Sequence, residues 1–338
     1  MVIIMYKSFP QKIYYEKDIL NYELGKILME KYKNIPKIEI TSHNSIEQLR
    51  SKSNVDFPKM KKYLIIGTRK SLKYVENHKT SDYLVPYTSS GCMAMCLYCY
   101  LVCNYNKYSY LRVFVNREQM MSKLIKTTNA SQKELVFEIG SNSDLILENT
   151  ITNNLEWTIT EFGRNNKGYI TFPTKFDMVD SLLDLNHNGR TIIRMSVNPE
   201  YIIKNVELGT SNLDGRILAI NKLVESGYKV GILVAPIIMV DNWKELYYDL
   251  IKKLYDKLSA KAKESIFFEV IFMTYSFVQD AINKEAFPNA INIFSTSMMR
   301  GRGRGKYMYR ENYLNEGKEY IKIVLNKYFP NNKIEYIV

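Results

Sequence analysis

The chain has 338 residues, 46% of them hydrophobic and 24% charged, with 47 Lys plus Arg against 35 Asp plus Glu, a formal charge of +12. That is enough chain and enough apolar content for one large α/β barrel or two ordinary domains, and it excludes a fold that depends on disulfides. No run of eighteen apolar residues occurs, no basic-flanked leader opens the chain, and the four cysteines all lie between Cys92 and Cys103, so the sequence predicts a soluble cytoplasmic protein with a metal site. The positive surplus favours a polyanionic partner, nucleic acid first, over a merely solvated basic surface.

In chain order, "KIEIT" (37–41) and "YLIIGT" (63–68), around a helix near 20–33, predict a small N-terminal α/β domain over 1–78. Six apolar runs of strand length follow: 83–88, 134–140, 169–175, 191–198, 229–237 and 265–272. Most are continuously apolar, as buried parallel strands are. Helical patterns lie between them. Asn116 with Gln119, and Asn242 with Glu245, read as N-cap pairs, while Gly227 closes a helix that keeps Ile217, Ile220, Leu223 and Val224 on one face. Six β-then-α units predict a partial or complete α/β barrel over 79–338. Late in the chain, "MMRGRGRGKYMYR" (298–310) predicts a glycine-rich hairpin near 293–309, followed by a helix with Tyr320, Ile321, Val324, Leu325 and Tyr328 on one side that stops at Pro330.

Cys92, Cys96 and Cys99 form the pattern C-x3-C-x2-C just after the first barrel strand, on a loop at the mouth where active sites of this architecture sit. Three thiolates on a tight loop can hold three irons of a [4Fe–4S] cube and leave the fourth open for chemistry. The competing readings are a zinc site that adds Cys103, which four sulfurs within twelve residues would strain, and a set of merely buried cysteines.

This pattern, with Tyr98 between the last two cysteines, resembles the radical S-adenosylmethionine enzymes. The run "GCMAMCLYCYLVCNYNKYSYLRVFVN" together with "TSHN" (41–44), "IIGTRKSLKY" (65–74), "TKFDMVDSLLDLNHNGRT" (174–191), "RMSVNPEYIIKNVELGTSNLDGRI" (194–217), "LVAPI" (233–237) and "GKYMY" (305–309) is similar to the spore photoproduct lyase family. The resemblance implies a partial (βα)6 TIM-like barrel, one [4Fe–4S] cluster on Cys92, Cys96 and Cys99, and S-adenosylmethionine on the open iron. It implies a carbon–carbon lyase that repairs 5-thyminyl-5,6-dihydrothymine in ultraviolet-damaged double-stranded DNA of the bacterial endospore core. A 5′-deoxyadenosyl radical would take the C6 hydrogen of the lesion, the crosslink would break, and a hydrogen atom would be returned. The implied cofactor contacts are Ser143, Lys175, Ser196 and Ala235, all at strand ends, and Tyr98 and Tyr100 are the implied hydrogen relay, Tyr98 favoured. The implied partners are the damaged duplex and a one-electron reductant such as flavodoxin or ferredoxin, with the protein a monomer and no membrane involved.

Two departures stand out. The family's hydrogen-donating cysteine lies in a segment of the form "FEAxCTSD", where this chain reads "FEIGSNSD" (137–144) with Ser141 at the donor's place. An alkyl O–H bond is too strong to replace a thiol, so the expected donor moves to Cys103 or, failing it, a tyrosine such as Tyr98. In the hairpin, Arg300, Arg302, Arg304, Lys306 and Tyr307 are the expected DNA contacts, but Arg302 takes the place of the family's tip aromatic. The departures leave two alternatives: a diverged relative acting on another nucleic-acid substrate, or a non-catalytic iron–sulfur DNA-binding protein.

Overall fold

The computed structural model describes residues 9–104 and 110–338, apart from the side chains of residues 103 and 104. Seven strands, β1 (Tyr83–Leu84), β2 (Val136–Glu138), β3 (Tyr169–Thr174), β4 (Thr191–Val197), β5 (Lys229–Ile237), β6 (Phe267–Phe272) and β7 (Ile334–Ile337), lie side by side in chain order and all parallel. The first six are the expected barrel strands; β7 is an addition. A short strand, Val75–Glu76, pairs antiparallel with β1 and ends the sheet.

Alternation along these strands sorts the two faces. Phe137, Ile170, Phe172, Ile193, Met195, Ile232, Phe268 and Val270 are fully buried among the apolar core. The opposite set includes Glu138, Arg194, Ser196 and Glu269. Arg194 on β4 bonds both Glu138 on β2 and, at 3.1 Å, Glu269 on β6. Each partner is two strands away, roughly 9–10 Å along a flat sheet, so the sheet must curl and these side chains must meet inside it. This is a partial TIM-like barrel with a polar interior.

The helix Leu213–Glu225 buries Ile217, Ile220, Leu223 and Val224 as expected, and Gly227, at φ +83°, bonds back to the Val224 carbonyl at 3.0 Å. The two asparagine caps read differently. Asn116 does bond Gln119, at 2.8 Å, but its carbonyl oxygen accepts from the Arg69 N–H at 2.8 Å and its amide donates to the Arg69 carbonyl at 3.0 Å. A backbone pair satisfies both ends of the amide, so the side chain clamps a loop instead of capping its helix. Asn242 sits at φ +51° and makes no capping bond.

The N-terminal sheet runs Lys37–Ile40, Lys12–Glu16, Tyr63–Gly67, Leu111–Phe114, Ser89–Ser90. It crosses the boundary expected at residue 78, because the strands on either side of the cysteine segment join it. The segment from Gly91 onward is therefore strung between two strands of this sheet. Inside it, Glu16 accepts bonds of 2.9 Å from the His43 N–H, the His43 ring and the Thr68 N–H, joining "TSHN" to "IIGT". A Cβ on Gly67 would lie 2.7 Å from a Glu16 oxygen, so only glycine fits. A second small sheet orders Thr274–Ser276, Lys306–Tyr309 and Met299–Gly303, all antiparallel. The hairpin turns at Arg304 and Gly305, with φ of +53° and +68°, the two left-handed residues of a type I′ turn. After it, the helix Glu311–Tyr328 buries Ile321, Val324 and Leu325.

Burial pushes the Glu16 carboxyl up, but the bonds from His43 and Thr68 outweigh it and hold it at about 2. A folded value below the ordinary value of 4.5 means the stabilisation is complete above that value and is lost as pH falls towards 2. The wild-type protein should lose on the order of 2–3 kcal/mol of this contribution across the acid range, and Glu16→Gln should lack that part of the pH dependence in denaturant titrations. Identical pH profiles would contradict the assignment.

Candidate active site

The cysteine loop is held on four sides. The Gly91 N–H bonds the Asn142 carbonyl at 2.8 Å, and Met95–Cys96 pairs antiparallel with Glu207–Leu208. Leu97 donates to the Val206 carbonyl at 2.9 Å, and its own carbonyl accepts from the Asn283 amide at 2.8 Å. Lys61, buried in the N-terminal unit, donates to the Cys92 carbonyl at 2.8 Å. Cys92, Cys96 and Cys99 are free, partly buried thiols.

Their chemistry follows from where they sit. Burial, with Asp144 adding to it and Lys61 opposing it, pushes the Cys92 thiol up to about 12, and burial together with Glu207 also raises Cys96. Cys96 also feels the charge of Cys92 and Cys99, and Cys92 that of Cys99. Without a cation such thiols stay protonated; a metal centre would supply the charge that favours thiolates. Among the described residues no three Cys, His, Asp or Glu side chains converge on a single ion. Three separate sulfurs on one loop match a cube, in which each binds its own iron, better than one tetrahedral ion.

Beneath the loop lies a buried polar network. The Tyr98 hydroxyl donates to Glu207, which also accepts from Asn198 at 2.9 Å and from Arg216 at 2.7 Å. Glu207 and Arg216 side chains are both fully buried. Burial alone would raise the Glu207 carboxyl; Arg216, then Lys175 and the hydrogen bonds from Tyr98 and Asn198, more than reverse this and hold it below the ordinary range. Arg216 spends its other donors on the Ser211 and Ser196 carbonyls, both at 2.9 Å, and on the Thr210 hydroxyl at 2.7 Å. Every arm of the guanidinium is thus used.

The four expected cofactor contacts ring the same mouth. The Ser143 hydroxyl is buried with no partner among the described residues, and Ser143 bridges to Gly91 at the start of the loop. Lys175 follows β3, its N–H bonded to Asp144 at 2.9 Å and its ammonium 5.7 Å from the Tyr98 ring centre. Ser196 donates to the Ala235 carbonyl at 2.9 Å, tying the ends of β4 and β5 together, and Asn198 reaches the same carbonyl at 3.2 Å. Tyr247 bonds Asn198 at 2.9 Å. An orphaned hydroxyl, an ammonium and three thiols on one mouth fit an anionic, metal-chelating ligand.

The donor's place holds a different surprise. Tyr100, half exposed, donates its hydroxyl to the Ser141 carbonyl. Cys103 lies in the short helix Leu101–Asn104, and its side chain lies outside the described residues. In the hairpin, Arg300, Arg302, Arg304 and Lys306 are exposed, whereas Tyr307 is half-buried against Phe294 at 4.8 Å. Glu207, Arg216, Asn198, Asp144 and Asn283 were not singled out from sequence; the first four lie inside motif-bearing segments, and Asn283 lies in none.

A family model described as spore photoproduct lyase matches residues 8–338. Curated spore photoproduct lyases of Bacillus subtilis (strain 168) and Geobacillus sp. (strain Y412MC61) are 35% and 32% identical to the chain, each over 97% of it and 98% of the relative. Among solved structures, a spore photoproduct lyase complexed with dinucleoside spore photoproduct superposes with a TM-score of 0.91 at 30% identity, covering 98% of this chain and 99% of that one. A variant spore photoproduct lyase with bound AdoMet and dinucleoside spore photoproduct gives the same score and identity over 98% and 100%.

Removing the Arg216 charge should strand a buried carboxylate. Arg216→Met is expected to cost about 3–5 kcal/mol in chemical denaturation, and adding Glu207→Leu to recover much of it. A loss under about 1 kcal/mol in the single variant would show that the pair does not hold the loop.

Proposed function

The chain belongs to the spore photoproduct lyase family, and we propose that it repairs the thymine dimer of that name by radical S-adenosylmethionine chemistry. The carrying observation is the mouth itself: three neighbouring thiols, the Ser143 hydroxyl, unpartnered among the described residues, and Lys175 gathered around one loop and the strand ends beside it. Cys92, Cys96 and Cys99 would hold a [4Fe–4S] cluster, and Ser143, Lys175, Ser196 and Ala235 would hold S-adenosylmethionine. Together these groups supply, when bound, one-electron reduction and hydrogen-atom abstraction from the lesion. A small iron–sulfur or flavin reductant would provide the electron.

This chain's own residues orient and shield. Lys61 and Asn283 fix the backbone of the loop, and Lys175 offers its ammonium to a carboxylate. The hydrogen returned to the thyminyl radical needs a donor other than Ser141. Position supports Tyr100 over Tyr98, since Tyr100 reaches the Ser141 backbone while Tyr98 is shut against Glu207. A phenolic O–H is far weaker than an alkyl one, and Tyr100 is the more accessible phenol. Cys103 stays a second candidate by its nearness in sequence.

The test is an anaerobic assay of the cluster-reconstituted protein with dithionite, S-adenosylmethionine and spore-photoproduct dinucleotide. The parent should return thymine dinucleotide, and Tyr100→Phe should lower clean product by about tenfold or more, diverting it to adducts. If Cys103→Ala shows that loss instead, the thiol is the donor. S-adenosylmethionine cleavage without repair in the parent would point to a different nucleic-acid substrate.

A further inference from the structure

The hairpin carries arginines but no exposed aromatic side chain at its tip, and the structure brings one in from elsewhere. Phe277 is 57% exposed and begins the helix Phe277–Ala286, directly after the strand that pairs with Lys306–Tyr309. Its N–H bonds the Gly305 carbonyl in the turn at 3.0 Å, and its ring lies 5.8 Å from that of Tyr307 at 69°. Gly305 leaves room for it: a Cβ there would lie 3.2 Å from the Phe277 ring. Behind it, Tyr307 packs on Phe294 at 4.8 Å, and Phe294 stacks on the buried Tyr275 at 5.7 Å.

A single exposed phenylalanine is ordinary on a protein surface. This one is fixed by a backbone bond and an aromatic shelf, and it sits beside the exposed Arg300, Arg302, Arg304 and Lys306. A rigid aromatic face within a cationic patch is the footprint of a stacking platform for nucleobases: the cations track the phosphates, and the ring meets any base through its π-face. A ring already held in place loses little freedom on binding.

We infer that Phe277 is the stacking residue of the DNA wedge, receiving a base unstacked at or beside the lesion, in place of the tip aromatic that Arg302 displaces. This rests on the lesion-repair reading above. The arrangement also places the platform on the helix whose Asn283 holds the Leu97 carbonyl, so a base seated on Phe277 is braced by the element that braces the cysteine loop.

The experiment is fluorescence anisotropy with the reconstituted protein and a labelled duplex carrying one spore photoproduct, repeated across salt concentrations and on an undamaged duplex and a single strand. Phe277→Ala and Phe277→Leu should weaken binding to the lesion duplex and the single strand by about 5- to 100-fold, with the slope of log affinity against log salt unchanged. Phe277→Trp should keep parental affinity. Arg304→Ala should instead reduce the slope by about one. Parental binding by both Phe277→Ala and Phe277→Leu, or failure of tryptophan to restore affinity, would overturn the inference. If the parent does not prefer the lesion duplex, the lesion reading falls, and the single-strand comparison still decides the role of Phe277.

Discussion

The buried pair of Glu207 and Arg216 is the interaction on which the rest of the site leans. Two full charges removed from water are tolerable only when every remaining donor and acceptor finds a partner. Here the guanidinium reaches four protein oxygens and the carboxylate collects Tyr98, Asn198 and Arg216. Satisfying that geometry fixes the ends of β4 and β5, the strand Glu207–Leu208 and, through it, the backbone of Cys96. One side of the cysteine loop is thus set by a charge pair that lies outside the loop's own sequence.

Two further supports converge on the same loop from outside the barrel. The N-terminal sheet grips both its flanks and sends Lys61 to the Cys92 carbonyl, and the helix Phe277–Ala286 sends Asn283 to the Leu97 carbonyl. Asn283 also bonds the Tyr275 hydroxyl at 2.9 Å, and Tyr275 lies in the strand paired with the hairpin. The hairpin and the thiols thus share one short frame. Partly buried thiols on one loop and an exposed cationic hairpin tied to the same frame suit a substrate that is large, anionic and must deliver one small part inward.

Much of this was legible in the residues, for physical reasons. Strands buried on both faces are mostly apolar, so β2 to β6 announced themselves even with Glu138, Arg194 and Glu269 among them, and the close spacing of Cys92, Cys96 and Cys99 put three thiols on one loop. The strand β7 was missed because "IEYI" is short, half-buried and lies beyond the expected stop at Pro330. The asparagine caps misled because an amide flanking a helix has rival partners that only tertiary structure reveals, as Arg69 does for Asn116. Nothing local marks Glu207 or Arg216; they matter because they pair with each other and because Glu207 meets Tyr98 across more than a hundred residues. Phe277 escaped because it completes a hairpin it does not belong to.

Whether three thiols hold a cube and leave one iron for S-adenosylmethionine is tested most directly by electron paramagnetic resonance of the reduced, reconstituted protein. About four irons per chain, with a reduced-cluster signal that shifts on adding S-adenosylmethionine and broadens when its carboxylate or amine carries a magnetic isotope, is the predicted result. A single bound zinc, or a cluster signal indifferent to S-adenosylmethionine, would contradict it.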